Sequence, residues 1–175
     1  SLPEVARLAT TIAVIEAGRV VAFGPAAEVL SDPETAPLLG LRDAGAVLTA
    51  RIAAHEADGL TRLETAAGPL WLPHVAGAAG REVRVRIAAQ DVILSRARPE
   101  GLSALNILPG VVVALHEGHG PGVLVRLDLG GEFLLARLTR RSAQALQLGP
   151  GIAVHAVLKS VAVAQADVGG GAVRD

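Results

Sequence analysis

A single lysine stands in a chain of 175 residues that otherwise uses 15 arginines for positive charge. Lys159 is followed by Ser160 near the end of a Val- and Ala-rich segment. Well upstream, Leu102-Ser103-Ala104-Leu105-Asn106 opens another Val-rich run, and Thr139 and Ser142 lie between the two. Ser103, Asn106, Thr139, Ser142 and Ser160 carry short hydroxyl or amide donors, and Lys159 adds one compact charge. Backbone amides at the start of a helix near Ser142 would add partial positive charge. This is chemistry for an anion whose oxygens only accept: several neutral donors, one or two charges, and carboxylates kept away. The nearest carboxylates in sequence, Glu100 and Asp167, fall outside these segments. The plain alternative is a solvated strand lysine that holds nothing.

Other chemistries find less support. Ser142 has no neighbouring His–Asp arrangement for nucleophilic work, so no catalytic residue is assigned. Of the five histidines only His116 and His119 are close, in a Gly-rich turn without a Cys or carboxylate cluster, so no metal site is expected. There is no cysteine, hence no disulfide framework; a reducing compartment is compatible with that. A net charge of −1 and only three aromatics (Phe23, Trp71 and Phe133) argue against a nucleic-acid surface. No apolar run reaches the length of a membrane span, and the start has no basic-then-apolar signal pattern. Apolar residues make up 51% of the chain, enough for a substantial core.

The elements that must position these residues are mostly strands. Residues 1–9 predict a short helix with Ser1 as N-cap, 11–15 and 20–23 a hairpin, and 26–30 a second short helix stopped near Asp32-Pro33. Such a segment cannot bury its own apolar faces and needs a partner. Residues 35–44 predict a linker. Strands follow at 47–54, 60–65, 70–72 and 82–87, the last continuing through 88–94; the cleanest alternation sets Arg84 and Arg86 against Val83, Val85 and Ile87. A second β unit spans 102–163, with strands at 110–115, 123–129 and 132–138, a helical turn or two at 139–146, and a closing strand at 152–163 carrying Lys159. Residues beyond 165 predict a flexible tail. Short strands at this spacing indicate a small antiparallel barrel.

The stretch SLPEVARLATTIAVIEAGRVVAFGPAAEVLSDP resembles the end of an ABC-transporter ATPase domain, the part that follows its switch histidine. The segments RPEGLSALNILPGVV, LLARLTRRSAQALQLGPG and AVLKSVAV are similar to the Mop or TOBE domain, an OB-like barrel found in molybdate-importer ATPase subunits and molybdate-binding proteins. Together the resemblances imply a mainly β chain. Residues 1–40 would be a short α/β ATPase remnant, 41–98 a β-rich first part of a regulatory region, 99–165 a Mop/TOBE domain and 166–175 a tail. They imply molybdate or tungstate as ligand, with oxyanion contacts on Ser103, Thr139, Ser142, Lys159 and Ser160. ATP and Mg²⁺ would belong to a part of the parent subunit that this sequence lacks. It has no G-x-x-x-x-G-K-[ST] loop, no Asp-Glu-ended strand and no Leu-Ser-Gly-Gly signature, so it is not expected to hydrolyse ATP by itself.

The family motif commonly reads Ser-Ala-Arg-Asn, whereas Leu105 occupies the arginine place here. Losing a guanidinium that makes charge-assisted bonds would weaken anion binding roughly a hundredfold. Arg137, Arg140 and Arg141 are the candidates to replace it. Three readings follow. The first is the regulatory portion of a molybdate-importer ATPase subunit, cytoplasmic at the inner membrane face, paired as a homodimer and attached to permease subunits without entering the membrane itself. The second is a structural dimerisation barrel without anion binding, and the third a free molybdate-binding or storage protein.

Overall fold

The computed structural model describes residues 2–39, 44–118, 120–163 and 168–170. Ser1, the linker at 40–43, His119, Asp167 and the tail at 171–175 lie outside the described residues. The N-terminal segment follows the expected order: α1 (Leu2–Leu8), β1 (Thr11–Glu16), β2 (Arg19–Pro25) and α2 (Ala26–Ser31). Ala17 (φ 48°) and Gly18 (φ 77°) turn the hairpin, and two left-handed residues in sequence match the twist of the strands they join. One face of the hairpin leaves Ile15, Val20 and Phe23 exposed. The segment is held to the rest of the chain by a small cluster of Ala6, Ala26, Leu30 and Val47. The Arg84 guanidinium, whose pKa burial lowers, donates to the Ala9 carbonyl at 2.8 Å.

The remainder is antiparallel β and is built twice. The first half runs β3 (Gly45–His55), β4 (Leu60–Thr65), β5 (Gly68–Pro73), β6 (Glu82–Ala88), a 3-10 turn (Ala89–Asp91) and β7 (Ile93–Ser95). The second runs β8 (Asn106–Glu117), β9 (Gly122–Asp128), β10 (Phe133–Thr139), α3 (Arg140–Ala145), β11 (Ala153–Leu158), a 3-10 turn (Ser160–Ala162) and β12 (Val168–Gly170). The two five-stranded sheets have the orders β5-β4-β3-β6-β12 and β10-β9-β8-β11-β7. Each half therefore lends its last strand to the other, β7 pairing with β11 and β12 with β6.

The correspondence extends to single hydrogen bonds. A bulge interrupts β3 between Ile52 and Ala54 and β8 between Val112 and Ala114. At these bulges the Ile52 amide donates to Arg81 and the Val112 amide to Ile152, both at 2.9 Å. Gly80 (φ 88°) and Gly151 (φ 87°) return bonds to the same two residues. Their positive φ suits glycine, which has no Cβ to clash. Counting on from these glycines, Ala88-Ala89 occupies the place of Lys159-Ser160, with nearly the same backbone angles at Ala88 (φ −72°, ψ 135°) and Lys159 (φ −76°, ψ 135°). The ladders pair Ala46 with Ile87 and Asn106 with Leu158, which makes Ala46 the counterpart of Asn106.

Three expectations change. The run at 82–94 is broken by the 3-10 turn, after which β7 leaves for the other sheet. The closing strand stops at Leu158, so Lys159 sits at the entry to a 3-10 turn and not within a strand. Part of the expected flexible tail, Val168–Gly170, is the strand β12. The strand exchange joins the halves, and one continuous cluster of buried residues runs from Leu48 and Leu63 in the first to Leu127 and Leu134 in the second. Burying that much apolar surface across the junction makes the two halves one folding unit.

Candidate oxyanion site

The six residues singled out in the sequence fall into three environments. Ser103 and Lys159 share an open groove of about 580 Å³, formed where the loop before β8 passes the 3-10 turn after β11. Both are exposed, and among the described residues the Lys159 ammonium has neither a carboxylate nor a hydrogen-bond partner. The groove continues between Leu102 and Ala104 on one side and Ile93 and Leu94 of β7 on the other. Strand exchange is what brings β7 here, since it carries residues of the first half to the second half's chemistry.

Asn106 and Ser160 lie beneath that groove and are buried. β5 is the edge strand of its sheet, and the Asn106 carboxamide covers its free edge. The Trp71 amide donates to Asn106 Oδ1 at 2.7 Å, and Asn106 Nδ2 donates to the Trp71 carbonyl at 3.0 Å. The second Nδ2 hydrogen reaches Ser160 Oγ at 3.3 Å. Within one chain the Asn106 amide group thus already has partners at Trp71 and Ser160. A buried carboxamide that satisfies a strand edge is a structural device.

Thr139 and Ser142 are placed elsewhere, at the start of α3. Thr139 Oγ1 accepts the Ser142 amide at 3.1 Å as an N-cap and meets Ser142 Oγ at 2.8 Å. The helix has six residues, and its Ser142 amide already has a partner, so the expected field at a helix start is small. Thr139 faces a second, mostly apolar groove of about 680 Å³ with His116 and Arg137. Within one chain Gln90 is the one described residue that lines both this groove and the Lys159 groove.

Among the described residues of one chain, no arginine lines the groove with Lys159. Arg140 is held by Glu117 at 3.2 Å and donates to the carbonyls of Gly118 and Gly120. Arg137 faces the other groove, and neither Arg137, Arg140 nor Arg141 lines the one holding Lys159. Leu105 itself is 53% exposed. Ile93, Leu102 and Val161 are exposed apolar side chains too, the last 79% exposed, and Ile93 and Leu102 line the groove. Sequence reading missed Gln90 and Asp91, which line the groove from the first half. The readable signal was the match of AAQDV to KSVAV, which marks 88–92 as a second copy of 159–163.

Residues 102–165 match the TOBE domain family, described as a TOBE domain. Over 98% of its length the chain is 45% identical to the molybdenum import ATP-binding protein ModC of Mesorhizobium japonicum. The chain is a ModC relative carrying a TOBE domain. The corresponding protein of Albidiferax ferrireducens is 47% identical over 93% of the chain. These matches cover 46% and 44% of the two relatives, so the chain spans about half the length of the curated proteins it matches. Among solved structures, the cytoplasmic molybdate-binding protein ModG, crystallised with molybdate bound, superimposes with a TM-score of 0.63 at 27% identity. That likeness covers 71% of this chain and 95% of ModG, more than the TOBE match alone accounts for. Among the described residues no helix is long and apolar enough to cross a membrane.

Proposed function

We propose that this chain is the anion-sensing and chain-pairing part of the ATP-binding subunit of a molybdate or tungstate importer. The groove that gathers Lys159 and Ser103 carries the reading: an unpartnered ammonium beside short donors, on a scaffold shared with a molybdate-binding protein. Lys159, Ser103 and Ser160 are the ligands on this side, and Thr139 and Ser142 come from a second copy. The separation of the two sets within one chain supports a site completed by pairing. The exposed apolar side chains of Ile93, Leu102, Leu105 and Val161 form the surface through which the homodimer pairs.

Residues 1–40 are the end of the parent's ATPase domain, and the exposed face of β1–β2 seats on the remainder of that domain. ATP and Mg²⁺ bind there, and the parent sits at the inner face of the membrane against its permease subunits. An anion that favours one arrangement of the paired chains shifts the transporter toward it by linkage. Leu105 favours a second reading, a barrel that pairs chains and binds no anion. Titration calorimetry with molybdate, sulfate and a Lys159→Ala variant separates the two. Heat with molybdate that is absent with sulfate and lost in the variant supports sensing; a stable dimer giving no heat supports the structural reading.

A further inference from the structure

The groove that holds Lys159 and Ser103 also receives a carboxylate from the other half of the chain. Asp91 closes the 3-10 turn Ala89–Asp91 and lines the groove next to Gln90. Among the described residues its carboxylate accepts no hydrogen bond and pairs with no cation. Among the described residues lining the groove, Lys159 and Asp91 are the charged ones. In the second half the counterpart of Asp91 is Ala162, which lines the same groove and brings no charge.

An ionised carboxylate can only accept hydrogen bonds. A tetrahedral dianion without protons, such as molybdate, tungstate or sulfate, also can only accept. Beside Asp91 it meets like charge with no hydrogen to offset it. An oxyanion that keeps a proton, such as hydrogen phosphate, donates to Asp91 while accepting from Lys159 and Ser103. We infer that Asp91 is a specificity-determining residue of this groove: it weakens the binding of proton-free dianions and shifts the relative preference toward oxyanions that carry a proton. The inference rests on the oxyanion reading of the groove and deepens it.

The test uses the full chain near neutral pH, titrated with molybdate and, separately, with inorganic phosphate. Asp91→Asn keeps the size of the side chain and replaces an acceptor-only charge with a neutral donor. It is expected to bind molybdate about tenfold more tightly, the effect of removing one charge about 6 Å from a dianion at the dielectric constant of water. The ratio of molybdate to phosphate affinity rises with it, a readout that a purely structural role would not move. Asp91→Ser is the second variant should Asn disturb the turn, with circular dichroism confirming the fold, and the same direction is expected. Molybdate binding by the unaltered chain that is unchanged or weaker in both variants would overturn the inference and leave the oxyanion reading standing. Absence of molybdate binding in the unaltered chain and both variants would overturn the two together.

Discussion

The two halves of this chain share one plan and differ where one of them could hold a ligand. Around β3 the counterparts are Ala46, Ala88 and Ala89, and the edge strand β10 is met by apolar side chains, with Leu135 in a cluster with Ala36, Ala44 and Ala89. Around β8 they are Asn106, Lys159 and Ser160, and the edge strand β5 is held by a carboxamide at Trp71. The second half also inserts α3 where the first has only a short loop before Gly80. The same junction is thus closed once by apolar packing and once by polar saturation. A polar junction leaves polar groups next to the surface, and the groove with Lys159 and Ser103 lies directly over it. The scaffold does not require these polar residues, since the first half closes the same junction without them.

Making the second half resemble the first is the way to test this. Asn106→Ala should have the largest effect, since it leaves the partly buried Trp71 amide and carbonyl without their partner and costs about 2–4 kcal/mol in denaturant unfolding. A loss under about 1 kcal/mol would mean that water replaces the carboxamide and that the two junctions are not different in kind. Val161→Asp places a charge at an exposed apolar position of the proposed pairing surface and should weaken chain pairing by at least about tenfold in sedimentation analysis, as expected for a desolvated charge in an interface. The first half has Gln90 at that place, so Val161→Gln should give a smaller change in the same direction. Thr139→Ala removes the cap of α3, an element the first half lacks, and should cost about 1 kcal/mol in thermal unfolding. Lys159→Ala copies Ala88; because the ammonium has no partner among the described residues, stability should change by less than about 0.5 kcal/mol while anion binding is lost.

The strand pattern was legible in the sequence because alternation at 82–87 and 123–129 and the turns at Gly18 and Gly130 are local signals. The cap at Thr139 was legible for the same reason. Strand exchange was not, because β7 is three residues long and reads as a continuation of β6 until its partner is known. The role of Asn106 was hidden by its polarity: an amide next to a serine reads as a ligand unless the free edge of β5 is seen beside it. Asp91 is not legible in the sequence because only the exchange of β7 brings its turn to the groove with Lys159. The repeat itself was readable in outline, but few residues are identical between the halves, and what is preserved is backbone geometry at Gly80 and Gly151.

Counting bound anions decides whether the Lys159 groove, and not its counterpart at Ala88, holds an oxyanion. Equilibrium dialysis against molybdate, with molybdenum and protein measured in the same samples, gives the number bound per chain. One molybdate per chain, falling to none in Lys159→Ala, is the predicted result. Two per chain, or one that survives in Lys159→Ala, would contradict it.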